Sequence, residues 1–168
     1  IVVVGMDQTE ADRVVAEAFD AGVNYFDVAP SYYEGEAEIK QGKALAPWRD
    51  RVFLACKTTR RDAAGARAEL EESLRRAKTD HFDLYQYHAV TTRADVEAIL
   101  AKGGARETFE KARAEGKCRF VGASCHTAVA MVRICAISAT ISAGTFTRRR
   151  YSRSLIRSST YLAPTVFS

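Results

Sequence analysis

No apolar stretch of this chain reaches the ~18 residues that a membrane-spanning helix requires. The opening run Ile1–Val4 is too short for the apolar part of a signal peptide, and no basic segment precedes it. Position 1 is not Met, which points to a chain cut at its front. The four cysteines, Cys56, Cys118, Cys125 and Cys135, form no C-x-x-C pair. Without a secretory signal they read as reduced thiols in a cytoplasmic protein. Cys118 and Cys125 with His126 match no structural zinc spacing, so no metal is expected. No G-x-G-x-x-G follows the first apolar run, which removes the Rossmann dinucleotide fingerprint. Finally, residues 131–168 hold no Lys, Asp or Glu, while carrying Arg133, Arg148, Arg149, Arg150, Arg153 and Arg157.

That last absence changes the meaning of the net charge. The whole chain is +4, but the six tail arginines leave the first 130 residues slightly acidic. A body of that charge predicts no nucleic-acid partner and no membrane surface. With 168 residues the chain fits one domain. Its 47% apolar and 27% charged content is that of a globular protein able to bury a core.

Short apolar runs and helical patterns alternate along this body. Ile1–Gly5, Val23–Asp27, Arg51–Lys57, Phe82–His88 and Cys118–Ser124 read as strands. Helices are expected over roughly 9–20, 34–45, 62–78 and, in two pieces broken at Gly103-Gly104, 94–116. Another is expected to start near Thr127, and Asp7 with Glu10 resembles a capping box for the first. The connections are too long for hairpins, so the strands are parallel with helical crossovers. Nearly continuous apolar strands are those buried on both faces. Both a doubly wound sheet and a (β/α)8 barrel fit. The barrel is favoured, because the polar residues stand at strand C-termini, where barrels place their chemistry. The fold expected is therefore α/β, an incomplete (β/α)8 TIM barrel of about five βα units.

Those polar residues are Asp27, Lys57, His88 and Ser124, with Tyr32 five positions after Asp27 in Asp27-Val-Ala-Pro-Ser-Tyr32. Strand alternation puts Lys57 in phase with Phe53 and Ala55, His88 with Leu84 and Gln86, and Ser124 with Phe120 and Gly122. Each alone has a plain structural explanation, as a turn cap, a solvated amine or a core imidazole. Together they form a proton-donating set. An ammonium beside a phenol favours the phenolate, a carboxylate holds the ammonium, and an imidazole orients a carbonyl oxygen. None of them supplies hydride, so carbonyl reduction would need a nicotinamide. Lys57 is also a candidate Schiff-base amine, as in barrel aldolases.

These segments resemble the aldo-keto reductases, and bacterial members in particular. Asp27–Tyr32 is similar to that family's D-x-A-x-x-Y segment, and Glu38–Leu45 with Gly42 to the helix after it. Phe53-Leu-Ala-Cys-Lys57 resembles the lysine strand, Asp83-Leu-Tyr-Gln-Tyr-His88 the histidine strand, and Val121-Gly-Ala-Ser124 the strand that meets the nicotinamide. The resemblance covers residues 1 to about 130. It implies an NADP(H)-dependent reductase of a small-molecule carbonyl, with Tyr32 as general acid, Asp27 and Lys57 tuning it, and His88 positioning the carbonyl. Ser124 and Cys125 would meet the cofactor. A non-catalytic NADP(H)-binding module and the Lys57 aldolase stand as alternatives, and oligomeric state is left open. The expected domain is 1–130, a partial barrel. Residues 131–168 are expected to be a basic Arg/Ser/Thr-rich tail. Out-of-frame translation after about residue 130 is the favoured reading of it, ahead of a solvated tail or a nucleic-acid or membrane-binding arm.

Overall fold

The computed structural model describes residues 3–125. The expected helix near Thr127, His126, and the whole arginine-rich segment lie outside the described residues. Within them four strands alternate with five α-helices. The strands are β1 (Tyr25–Asp27), β2 (Phe53–Thr58), β3 (Phe82–Tyr87) and β4 (Cys118–Ala123). The helices are α1 (Gln8–Asp20), α2 (Glu36–Leu45), α3 (Ala63–Ala77), α4 (Arg93–Leu100) and α5 (Ala105–Ala114). All pairings are parallel and the strand order is β1-β2-β3-β4. Sequential parallel order is what helical crossovers in an incomplete (β/α)8 barrel produce.

The helix boundaries follow local chemistry. Asp7 caps α1 by accepting the N–H of Glu10 at 2.9 Å. Asp62 caps α3 through the N–H of Gly65 at 2.7 Å. Thr92 and Asp95 form a reciprocal capping box on α4. Gly42 of α2 lies directly on α3: a Cβ there would stand 2.4 Å from the carbonyl oxygen of Ala77. Only glycine lets the two helices approach so closely.

The two sheet faces differ. Phe26, Leu54, Cys56, Tyr85 and Tyr87 turn toward the helices and are buried with Val15, Leu70, Ile99 and Phe109. Tyr87 and Phe109 stack with ring centroids 3.9 Å apart. The opposite face carries the stacked rings Tyr25, Phe53 and Phe120, with centroids 5.2 and 6.1 Å apart. Tyr25 and Phe120 remain exposed. At the N-terminal edge of the sheet the buried Asp83 accepts the N–H of Leu54 at 2.9 Å and pairs with Arg49 at 3.2 Å and Arg119 at 2.5 Å.

Three expectations are corrected. The described part of the first expected strand, Val3–Gly5, is not a strand. The N–H of Gly5 goes to the Glu36 carboxylate at 3.2 Å, and its φ of +72° ends any extended run. The second helix begins at Glu36, not Glu34, because Tyr33, Glu34 and Gly35 adopt left-handed conformations. The strand expected from Arg51 begins at Phe53, since Ala46–Arg51 coils into 3-10 turns after Pro47.

Candidate active site

Parity and register bring the polar strand ends together. Ala55 pairs with Leu84 and Lys57 with Gln86, while Gln86 pairs with Gly122. Side chains two residues apart on a strand share a face, so Asp27, Lys57, Gln86 and His88 converge on the face opposite the helices.

Lys57 is the hub. Its side chain is buried, and its ammonium has three hydrogens with three acceptors. One goes to the Asp27 carboxylate in an ion pair. The others go to the Val28 carbonyl at 3.1 Å and the Tyr32 phenol oxygen at 3.3 Å. The Lys57 nitrogen also lies 4.8 Å from the centre of the Tyr32 ring. The turn that delivers Tyr32 is closed by its own N–H, which donates to Ala29 at 2.9 Å. Tyr33, by contrast, is 65% exposed, so the spacing from Asp27 selects the phenol that meets the lysine. Tyr25 also stands near Asp27. The ring is only half covered, and that partial burial, followed by the carboxylate, pushes its phenol up to about 12.

His88 meets this group edge-on. Its ring centroid is 5.9 Å from that of Tyr32, at an interplanar angle of 84°. On its other side Nδ1 lies 2.9 Å from Ser124 Oγ. The same hydroxyl oxygen accepts the N–H of Ala89 at 3.1 Å. The structure thus unites Asp27, Tyr32, Lys57, His88 and Ser124. Cys125, the residue after Ser124, is partly buried and packs against the core.

Two residues beyond those expected belong to the surroundings. The buried Gln86 approaches the second Asp27 oxygen, its amide nitrogen 3.5 Å away. Its phase with His88 was a signal that could have marked it. Arg61, from the loop after β2, donates to the carbonyls of His88 at 2.8 Å and Ala89 at 3.2 Å. It is anchored by Asp95 at 3.0 Å. The left-handed Ala89, with φ +50°, turns both carbonyls toward one guanidinium. Nothing in the sequence around Arg61 signals this contact.

Cys56 points away from the site. Its thiol donates to the fully buried Glu38 at 3.4 Å, and burial first, then Glu38, push it well above the ordinary thiol range. It is a packed thiol. Among the described residues no cluster of metal-ligating side chains occurs, and no helix is long and apolar enough to cross a membrane.

The family model described as the Aldo/keto reductase family matches residues 4–145. The aldo-keto reductase YhdN of Bacillus subtilis (strain 168) is 33% identical over 132 residues, which cover 71% of this chain and 38% of that protein. The methylglyoxal reductase YeaE of Escherichia coli (strain K12) is 35% identical over 125 residues, covering 71% and 42%. An aldo-keto reductase of Klebsiella pneumoniae, solved in complex with NADPH, superposes with a TM-score of 0.63 at 31% identity, covering 74% of this chain and 43% of that one. The holo form of AKR11C1 from Bacillus halodurans gives 0.62 at 33% identity, covering 74% and 44%. The chain thus spans about two fifths of the length of the relatives it matches. A family match over most of its residues, with the fold of solved members, shows that this chain belongs to the aldo/keto reductase family.

Proposed function

We propose that the site reduces a small aldehyde or ketone to an alcohol, with Tyr32 as the general acid. The observation that carries this is the bonding of Lys57. Because the Tyr32 oxygen accepts a hydrogen from Lys57, the phenol's own hydrogen is left to be donated elsewhere. An acid that gives its proton to a carbonyl oxygen leaves a phenolate, and the ammonium 3.3 Å away is placed to stabilise it. Asp27 keeps the ammonium in position and offsets its burial. His88, edge-on to Tyr32, is placed to give the substrate's carbonyl oxygen a second hydrogen bond.

The side chains here carry no hydride, and a nicotinamide supplies one to the carbonyl carbon when bound. The donor set fits one end of such a group: Ser124 offers a hydroxyl beside His88, at the C-terminal end of β4. Ser124, with Cys125 next to it, would hold the carboxamide, and NADP(H) is the cofactor form that the Klebsiella relative's complex supports. The Schiff-base reading of Lys57 fares worse. Its nitrogen is held by Asp27, Val28 and Tyr32, which leaves a carbonyl carbon little room to approach it. The reductase reading takes residues 1–130 as a partial barrel in a cytoplasmic protein, followed by the basic Arg/Ser/Thr-rich residues 131–168 read as out of frame.

The test is NADPH-dependent reduction of small aldehydes, comparing the protein with its Tyr32→Phe variant. Removing a general acid costs about 10²- to 10⁴-fold in turnover. Unchanged turnover in Tyr32→Phe would refute the assignment of the acid, and borohydride trapping of substrate on Lys57 would favour the aldolase instead.

A further inference from the structure

Ser124 Oγ stands between two nitrogens, and hydrogen counting decides what it does there. Ala89 N can only donate, so at 3.1 Å it occupies one lone pair of the hydroxyl oxygen. His88 Nδ1, 2.9 Å away, is either donor or acceptor, according to where the imidazole carries its hydrogen. Were the hydrogen on Nδ1, the hydroxyl would accept twice and its own O–H would find no acceptor among its described partners. With the hydrogen on the other ring nitrogen, all three groups are satisfied.

We infer that Ser124 is a positioning residue: its hydroxyl donates to His88 Nδ1 and thereby fixes His88 as the neutral tautomer that carries its hydrogen on Nε2. The backbone holds both partners for this. His88 N–H donates to Thr58 at 2.8 Å, Ser124 N–H to Tyr87 at 2.9 Å, and Val90 N–H to the Ser124 carbonyl at 2.9 Å. Arg61 grips the carbonyls of His88 and Ala89, and the left-handed Ala89 aims its N–H at the oxygen that faces the ring. The imidazole is then oriented and assigned by a neighbouring strand, through a shared hydroxyl. The proposed reduction gives the assignment its use, because an Nε2–H is a hydrogen-bond donor for a carbonyl oxygen. In this the inference rests on the proposed function. The remaining lone pair of Oγ makes Ser124 an acceptor, not a donor, toward a bound carboxamide.

The position of the hydrogen is read directly by ring carbon-to-nitrogen correlations in ¹⁵N NMR, at about pH 8, where an ordinary imidazole is neutral. The chain has three histidines, so His88 is identified by its loss in a His88→Gln variant. The expected spectrum shows His88 with Nε2 protonated and Nδ1 displaced by an accepted hydrogen bond. In Ser124→Ala that displacement is lost, and in Ser124→Thr, which keeps the hydroxyl, it is restored. A wild-type His88 protonated on Nδ1, or an Nδ1 signal that Ser124→Ala leaves in place, would overturn the inference. The measurement uses neither cofactor nor substrate. Absence of NADPH-dependent turnover therefore counts against the reductase reading alone, and an Nδ1–H spectrum against the role of Ser124 alone.

Discussion

Replacing Asp83 by Ala should be the most destabilising single change available at the N-terminal edge of the sheet. The side chain is 3% exposed and serves three donors at once. Its loss strands the buried Leu54 N–H, a cost of about 1–3 kcal/mol. It also leaves Arg49, 16% exposed, facing no carboxylate, and breaking a buried pair costs about 3–5 kcal/mol in all. Arg119 is 46% exposed and regains water, so its share stays below about 1 kcal/mol. Taking these overlapping costs together, Asp83→Ala loses about 4 kcal/mol, a large part of the ~5–15 kcal/mol that a domain commands. Asp83→Asn keeps an acceptor for Leu54 and loses about half as much. In urea, with a slope of ~2 kcal/mol per molar, the Ala variant's midpoint falls by about 2 M. Arg119→Ala is the internal control and moves it little. The reasoning fails if Asp83→Ala costs under about 1 kcal/mol, or if Arg119→Ala costs as much.

Gly42→Ala should destabilise by about 1–3 kcal/mol, because its methyl would drive α2 off the Ala77 backbone. Helix propensity alone predicts a gain of about 1 kcal/mol, so a raised melting temperature would refute the contact. Asp95 gives a pH signature. Burial opposes its charge, but hydrogen bonds from Arg61, Thr92 and the Thr91 and Thr92 backbone outweigh this and hold the carboxyl well below the usual carboxylate range. A depressed folded-state value means the stabilisation is complete above about pH 4 and lost as pH falls below it. Denaturation midpoints measured from about pH 5 to 2 should fall less steeply in Asp95→Asn, and parallel curves would disprove the linkage.

Much of this was legible in the residues. Lys57, His88 and Ser124 could be placed on one face because strand alternation is a local rule, and Tyr32 because a short turn separates it from Asp27. Asp7 could cap a helix for the same local reason. What escaped depended on approach across the fold. Arg61 reaches the carbonyls of His88 and Ala89 only because two loops meet, and no spacing encodes that meeting. Val3–Gly5 is β-branched and apolar enough for a strand, yet a distant Glu36 takes the amide that a strand partner would need. The end of β4 shows a third limit. The family resemblance of Val121–Ser124 implied a cofactor contact, whereas the commitment of Ser124 to His88 and Ala89 depends on the β3–β4 register.

That register has a consequence for how function is acquired during folding. The reactive side chains are carried by pleated strands whose alternation leaves no intermediate setting. A slip of one residue between β3 and β4 would pair Tyr87 with Gly122 or Ser124 and bring the opposite face of β4 to the mouth. No mis-registered sheet retains a weakened version of the constellation. The constellation therefore assembles in a single step with correct strand pairing, and any ensemble measure of the His88–Ser124 contact counts the fraction of molecules in register.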